Sequence, residues 1–436
     1  FVSDDEGELR GAVEGLLSDS GRAREVGAAG RQMVQEHFGV DRFLSQWNGL
    51  FEKRVASAKP RRPRGSSVAG PSAPSVAINA MSVGGEMTGI GHHAQNLVNA
   101  LALTDAQQHY WLLTGNSDLT PPDGRFQQWD MRAGGARWEQ LQLPELLSER
   151  EVDLYHNPAF GLPVVKSCPY VATVHDCIPR LFPEYAPEWL RDFFEHWAPR
   201  WVQLADQIIC VSEHTRHDLI HLYGVDPERT SVVYQCADKA YRPVTDRTRV
   251  RLVRDRYDLD RPYVLSVGRV ELRKNVVGLL RAFEILQQTY GDELLLVLAG
   301  PKDEDGYDPH GDLPPPGRHG AIAVTGYVPT EDLAALYCGC EVFCYPSFYE
   351  GFGIPVLEAM QCGAPVVASR VSSVPEVGGE APLYVNPYDP EHIAHALKRV
   401  IEDRQLREQM TDTGMARAEE FSLQQFGEGT VLAYQR

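Results

Sequence analysis

The sequence of 436 residues lacks any apolar run near the length of about eighteen residues that a membrane-spanning helix needs. It has no Cys-x-x-Cys pair, and no histidine lies at metal spacing from its eight cysteines, so neither a zinc site nor a disulfide framework is predicted. Basic residues are few, with 42 Lys and Arg against 60 Asp and Glu, and the net charge of −18 argues against general binding of nucleic acid or anionic membrane. We therefore expect a soluble, cytoplasmic protein with reduced thiols.

The beginning of the chain indicates a piece of a longer protein. It starts at Phe1 with neither an initiator Met nor a signal peptide. Residues 1–58 show amphipathic helix patterns, and residues 59–75, rich in Pro, Gly, Ser and Arg, predict a linker. This basic linker leaves open a contact with the inner face of a membrane.

The first helices resemble the last ones. Two interpretations stay open: unrelated helices that share a period, or the closing helices of a preceding copy of the module that residues 76–436 complete. We predict the second, a tandem protein. The residues that align at a constant offset are Asp19, Val26 and Gly30 with Asp403, Met410 and Gly414.

From residue 76 onward, continuous apolar strands alternate with helical patterns, which is typical of parallel sheets buried on both faces. The charged stretch 238–260 has no strand pattern and separates two groups of strands. We therefore predict an α/β fold of two Rossmann-like domains, residues 76–242 and residues 243–420. Ligands bind at the carboxyl ends of parallel strands, so the two sheets would face a central cleft.

Two glutamates frame a glycine-flanked turn that opens a helix. Glu350 precedes the turn, which consists of Gly351, Phe352 and Gly353, and Glu358 lies about one turn into the helix. Glycine lets backbone N–H groups approach an anion, and the helix amino terminus adds its positive dipole end. The pattern predicts a site for a phosphate and a sugar.

Cations gather after another predicted strand. Arg269, Arg273 and Lys274 lie between that strand and a helix, where they would neutralise a diphosphate. A solvated basic loop is the alternative interpretation. His175 and Asp176 directly follow a third strand, where they can contact a sugar hydroxyl or the reacting bond, or be a structural pair.

Two further motifs give weaker signals. Gly89, Ile90 and Gly91, with the residues that follow them, match a dinucleotide fingerprint, but about nine residues separate them from their strand, and a glycine loop that contacts substrate is the preferred interpretation. The acidic triplet at residues 303–305 matches a metal-binding pattern of other sugar transferases, yet its surroundings favour an exposed loop. We predict no metal and no cofactor.

Taken together, residues 76–436 resemble the retaining glycosyltransferases of family four, which have the GT-B fold. The specific part is the order and spacing of Arg269 and Lys274 relative to the motif from Glu350 to Glu358. The resemblance implies that both cations hold the diphosphate of a nucleotide sugar with help from the glycine-flanked turn. It also implies that Glu358 binds the ribose and that Glu350 contacts the donor sugar.

The same resemblance assigns the remaining residues. His175, with Asp176 beside it, matches the catalytic cleft histidine of the family, and the glycines at 89 and 91 match its amino-terminal glycine loop. Tyr327 and Val328 match the edge that binds the base. Residues 421–436 are expected to cross back onto the first domain.

The implied reaction moves a sugar, most specifically mannose from GDP-mannose, to a hydroxyl of a growing or lipid-linked glycan such as an O-antigen. The resemblance is to bacterial O-polysaccharide mannosyltransferases, and it favours front-face attack over a covalent glycosyl carboxylate. Alternatives left open are another donor (a UDP-sugar, or GDP-fucose or a rhamnose donor), a nucleotide-sugar epimerase, a phosphorylase with pyridoxal phosphate, and a non-catalytic module.

Overall fold

The computed structural model describes residues 74–84, 87–115, 119–131, 138–301 and 317–436, together with the helical residues 21–22, 25–26 and 28–29. The chain divides into two compact units, Phe1–Ser66 and Ser67–Arg436. The predicted repeat in residues 1–58 and the linker fall almost entirely outside the described residues, and the acidic triplet at 303–305 does so completely. Everything below concerns the second unit.

The first half of this unit contains a sheet of seven parallel strands in the order β3-β2-β1-β4-β5-β6-β7. Its central strands are mostly buried because helices cover both faces. The strands are β1 (Ser75–Asn79), β2 (His109–Thr114), β3 (Phe126–Asp130), β4 (Leu154–Asn157), β5 (Tyr170–Val174), β6 (Gln207–Cys210) and β7 (Thr230–Val232). The helices are α1 (Gly89–Thr104), α2 (Leu143–Glu149), α3 (Ile178–Leu181), α4 (Glu188–His196), α5 (Ala198–Leu204) and α6 (Glu213–Tyr223).

The second half contains another sheet of seven strands, in the order β10-β11-β9-β8-β12-β13-β14. All neighbours are parallel except β10, which pairs antiparallel with β11 at the edge. The strands are β8 (Tyr263–Val267), β9 (Leu295–Ala299), β10 (Gly317–His319), β11 (Ile322–Gly326), β12 (Val342–Tyr345), β13 (Val366–Ser369) and β14 (Leu383–Val385). The helices are α7 (Arg247–Arg256), α8 (Val276–Tyr290), α9 (Thr330–Gly339), α10 (Ile354–Gln361), α11 (Val374–Gly378), α12 (Pro390–Glu402) and α13 (Arg404–Ala418).

Short helical turns complete the described secondary structure. A π-helical turn, Trp138–Gln142, leads into α2. The 3-10 turns are Pro183–Tyr185, Pro227–Arg229, Leu272–Lys274 and Gly291–Glu293. Within the described residues, none of the helices combines the length and the apolar composition that crossing a membrane requires.

The last helix, α14 (Leu423–Tyr434), packs on α1 in the first half of the unit. It begins with a reciprocal cap, in which the Ser422 hydroxyl accepts from the Gln425 backbone and the Gln425 side chain accepts from Ser422. At its other end, the Tyr434 hydroxyl lies 2.7 Å from Nδ1 of the buried His156 on β4. The helix therefore ties the end of the chain to the centre of the first sheet.

Candidate active site

The cleft lies where three strands end. His175 and Asp176 follow β5, Arg269 follows β8, and the loop that carries Glu350 follows β12. These carboxyl ends belong to both sheets, and they line one cavity of about 890 Å³. A cavity of this size and composition fits a nucleotide sugar better than a single small ion.

The two halves make direct contact at Gly351. Its carbonyl accepts hydrogen bonds from the hydroxyls of Ser212, at 2.7 Å, and Thr215, at 3.0 Å. A Cβ atom at this position would overlap the carbonyl oxygen of His175, so the close approach requires glycine. The turn thus fixes Glu350 relative to the end of β5.

A second glycine sets the direction of the helix that follows. Gly353 has a φ of 104°, in the left-handed region, and α10 begins at the next residue with Pro355 in its first turn. The hydroxyl of Ser373 donates to the carbonyls of Glu350 and Phe352, at 2.9 Å each, which holds the turn in place. The amino end of α10 lines the cavity, as anion binding requires.

Glu350 is buried and forms the centre of an ion cluster. Its Oε1 accepts a hydrogen bond from Lys274 Nζ at 2.7 Å and lies 3.0 Å from Arg273 Nη1. Burial raises the pKa of Glu350, but Arg273 and Lys274 outweigh that effect and lower it to about 2. The carboxylate is therefore ionised throughout the neutral range.

The two cations have further partners. Arg273 forms an ion pair with Glu271 and donates to the Tyr349 carbonyl at 2.8 Å. Lys274 donates to the Tyr345 hydroxyl at 2.6 Å, and burial lowers the pKa of Lys274 while Glu350 opposes that shift. An ammonium group has three N–H donors, so after Tyr345 and Glu350 one remains for a ligand.

Glu358 lies on α10 in a less polar environment. Its Oε2 accepts from the Tyr337 hydroxyl at 3.0 Å. Burial raises the pKa of Glu358 to about 7, although hydrogen bonds from Tyr337 and Tyr241 act in the opposite direction. In the neutral range the carboxyl group is therefore close to an even mixture of its two protonation states.

His175 has a fixed orientation. Its Nε2 lies 2.8 Å from the Pro158 carbonyl, which can only accept, so the neutral ring carries its proton on Nε2 and Nδ1 is the acceptor. Burial lowers the pKa of His175, which keeps the ring neutral. His93 packs edge-on against it, with ring centroids 4.6 Å apart. Asp176 accepts from the Ile178 backbone at 3.0 Å.

Most of the predicted site residues line this one cavity. Those that do are Gly89, Ile90, His175, Asp176, Arg269, Lys274, Glu350, Gly351, Phe352, Gly353 and Glu358. Gly91, Tyr327 and Val328 do not. Tyr327 and Val328 follow β11, Tyr327 with 47% of its surface exposed and Val328 buried, and their contact with a base stays a prediction.

The glycine loop needs a correction. Gly89, Ile90 and Gly91 form the first turn of α1 instead of a loop before it. Gly91 is buried, and a Cβ there would overlap the Ser82 carbonyl, so this glycine serves packing of the helix start. Gly89, by contrast, has open space around it and faces the cavity.

Some of the contacts and residues that contribute to the site were not predicted. Arg273 was predicted as a cation for a diphosphate, but nothing in the local pattern shows that it shares Glu350 with Lys274. Tyr241 and Tyr337 reach Glu358 from distant parts of the chain, and no local motif marks them. Within the described residues there is no group of three His, Cys, Asp or Glu that could hold a metal ion.

Comparison with known proteins covers both halves. Residues 87–241 match the family described as Glycosyltransferase Family 4, and residues 254–417 match Glycosyl transferases group 1. O-antigen chain mannosyltransferase B of Escherichia coli is 36% identical over 284 residues, which are 64% of this chain and 74% of that protein. The serotype-specific mannosyltransferase WbdA of Escherichia coli is 27% identical over 257 residues, 58% of this chain but 31% of WbdA.

A solved structure supports the fold independently. Sucrose-phosphate synthase from Thermosynechococcus elongatus aligns with a TM-score of 0.64 at 22% identity, over 83% of this chain and 98% of that structure. Its likeness is one of fold, with two parallel-sheet halves around a cleft. The chain therefore belongs to glycosyltransferase family 4 and has the GT-B fold.

Proposed function

We propose that this glycosyltransferase moves mannose from GDP-mannose to a hydroxyl of a growing glycan, such as an O-antigen polysaccharide, with retention of the anomeric configuration. The mannose assignment is supported by the name of the 36% identical relative, O-antigen chain mannosyltransferase B. The structural observation that supports this chemistry is the ion cluster of Glu350, which pairs with two partly buried cations, Arg273 and Lys274, in the cavity that the amino end of α10 also lines.

The donor diphosphate would lie between the cations and the helix. Arg269, the remaining N–H of Lys274 and the amino end of α10 all line the cavity and would contact the diphosphate there. As the bond to the sugar breaks, negative charge grows on the leaving phosphate, and these fixed positive groups stabilise it. We propose that this arrangement needs no metal and no cofactor.

Ribose and base would extend along α10. Ionised Glu358 can accept hydrogen bonds from two ribose hydroxyls, and Tyr337 holds the carboxylate in place. Tyr327 and Val328 lie outside the cavity, so their contact with the guanine requires the base to extend past its edge.

The transfer step uses the leaving phosphate as the base. The bond from the anomeric carbon to the phosphate oxygen breaks, a bond from that carbon to the acceptor oxygen forms on the same face, and the acceptor proton passes to the phosphate. Glu350, with its pKa of about 2, is too weak a base to take this proton. We assign it to positioning Lys274, Arg273 and the donor sugar, while Nδ1 of His175 accepts from a sugar hydroxyl.

The proposal extends to the longer protein. The part of WbdA that this chain matches is 31% of its length, so WbdA is about three times as long as the matched part. This length agrees with a tandem arrangement, in which residues 1–58 would close a preceding module. Such a protein could build a mannan with two linkage types. We further propose that the protein is cytoplasmic. The basic segment 59–64 would contact the membrane, where the protein could reach a lipid-linked acceptor.

Donor competition tests the function. Purified protein is offered equal amounts of isotopically distinguishable GDP-mannose, GDP-fucose and UDP-glucose with a mannose-terminated acceptor, and products are identified by mass. We expect mannose on the acceptor. Transfer from UDP-glucose alone would reject the donor assignment, and conversion of the donor without any acceptor would indicate an epimerase.

A further inference from the structure

Two aromatic side chains in or near the cleft have large exposed surfaces. Trp189 on α4 is 68% exposed and Tyr388, just after β14, is 71% exposed. Trp189 and Tyr185 line the same cavity as Glu350. Clustered exposed apolar surface at a cavity mouth is typical of a binding surface, because burial of that surface is favourable.

Three of the aromatic rings, those of Tyr185, Phe348 and Tyr388, stack in sequence and so join the two halves. Tyr185, from the first half, is parallel to Phe348 within 6°, with centroids 6.2 Å apart. Phe348 in turn stacks on Tyr388 with centroids 4.9 Å apart. Phe348 lies two residues before Glu350, so the stack begins next to the ion cluster. We refer to Tyr185, Trp189, Phe348 and Tyr388 as the aromatic platform.

The chemistry of the platform fits an uncharged sugar chain. A pyranose ring offers a flat C–H face to an aromatic ring and keeps its hydroxyls in water at the edges, so many small dispersion contacts form without loss of hydration. The alternative, an anionic membrane surface, requires basic residues around the aromatic ones. Around Trp189 acidic residues outnumber basic ones, with Glu184, Glu188, Asp192 and Glu195 against Arg191 and Arg180, and Arg180 forms an ion pair with Glu195.

We propose that the aromatic platform binds the acceptor glycan, with Trp189 and Tyr185 stacking on sugars that precede the terminal residue at Glu350. This inference rests on the proposed transfer of a sugar to a glycan and names how the acceptor is held. It implies that acceptors of several sugars bind better than a monosaccharide, because only the longer chains reach Trp189.

Binding of mannose oligosaccharides without donor tests the platform. Calorimetry would compare mannose with a mannose tetrasaccharide on wild type, Trp189→Ala, Trp189→Phe and the control Leu252→Ala, an exposed apolar residue on α7 that is 61% exposed. We expect Trp189→Ala to weaken tetrasaccharide binding about tenfold, equivalent to about 1.4 kcal/mol, with little effect on mannose. Trp189→Phe should keep most of the affinity, and Leu252→Ala all of it.

Other outcomes separate the possibilities. Equal tetrasaccharide affinity in wild type and Trp189→Ala would overturn the proposal. The proposal would also be overturned if Trp189→Ala no longer sedimented with phosphatidylglycerol vesicles but kept the wild-type affinity for the oligosaccharide. The binding measurement contains no donor and is therefore independent of the transfer assay. If the protein did not transfer mannose from GDP-mannose, the proposed function would be rejected, but an effect of Trp189→Ala on oligosaccharide binding would still stand.

Discussion

At the scale of single residues, Glu350 organises charge. It accepts from Lys274 and lies beside Arg273, so its removal leaves two partly buried cations with one carboxylate partner fewer. A charge that is removed from water without a full set of partners lowers the free energy of unfolding. Cations that shift from their positions would also stabilise the leaving phosphate less well.

We therefore expect Glu350→Gln to lower kcat by about 100-fold and to reduce thermal stability. Transfer assays and thermal unfolding measure the two effects. The matched control is Glu408→Gln, since Glu408 forms an exposed ion pair with Arg404 on α13 and should be silent in both assays. Wild-type rates in Glu350→Gln would mean that the ion cluster is structural.

The raised pKa of Glu358 leads us to expect that donor binding depends on pH. Burial raises its pKa to about 7, so the donor-free protein holds this proton more tightly than the unfolded chain does. Protonated Glu358 therefore adds to the free energy of unfolding of the donor-free protein. This contribution is fully present below the ordinary Glu pKa of about 4.3 and is lost as pH rises through about 7. If Glu358 binds the ribose as proposed, donor binding should have the opposite dependence, because the ribose hydroxyls would donate to the ionised carboxylate.

The donor dissociation constant should accordingly fall several-fold between about pH 6 and about pH 8, and Glu358→Gln should bind weakly without this dependence. Titration calorimetry at several pH values measures it. Burial lowers the pKa of His175, which favours its neutral form over this range. A wild-type affinity that is flat with pH would contradict the assignment of Glu358 to the ribose.

At the scale of elements, the turn at Gly351 connects the two halves. Its carbonyl accepts from Ser212 and Thr215, and there is no room for a side chain next to His175. The distance between Glu350 and the end of β5 therefore depends on this one glycine.

Gly351→Ala should lose about 1–3 kcal/mol of stability through overpacking and most of its transfer activity through displacement of Glu350. Gly124→Ala is the control, since a Cβ at Gly124 meets nothing within 4 Å. Chemical unfolding and transfer assays give the readouts. Tolerance of alanine at 351 equal to that at 124 would show that the turn can move freely.

Some strands can be recognised from the local sequence pattern, and others cannot. Strands such as β9, which is uniformly apolar, and β5, which is apolar except for Thr173, are completely buried, so hydrophobicity indicates them. β4 was not predicted, because it contains His156 and Asn157 in the middle of the sheet. Their polar groups are satisfied by tertiary partners, for example Thr173 at 2.9 Å from His156 Nε2, which no local pattern shows.

The same distinction holds for the site. Glu350 and Lys274 could be predicted because each lies in a short motif with a recognisable turn or helix start. Tyr337 could not, since it belongs to α9 and contacts Glu358 only through tertiary folding. The glycines at 89 and 91 were assigned one shared role, although only the structure distinguishes the cavity-facing Gly89 from Gly91, which packs at the helix start.

At the scale of the whole molecule, the closing helix α14 holds the end of the second half against the first sheet. Its Tyr434 hydroxyl pairs with His156, whose other ring nitrogen pairs with Thr173. Both nitrogens of a buried imidazole are thus satisfied, and the loss of either partner should be costly.

Tyr434→Phe is expected to lower the free energy of unfolding by about 1–3 kcal/mol, because Nδ1 of His156 is left buried without a partner. Tyr290→Phe provides the control, since its hydroxyl bonds to Glu402 at the surface. Denaturant unfolding compares the two. Equal stability of both variants would show that the contact of α14 with His156 contributes little.

A crystal structure with GDP-mannose bound is the most direct test of the account as a whole. We expect the diphosphate to lie against Arg269, Lys274 and the amino end of α10, with the ribose hydroxyls within hydrogen-bonding distance of Glu358. A nucleotide bound outside this cavity, or one whose ribose makes no contact with Glu358, would contradict it.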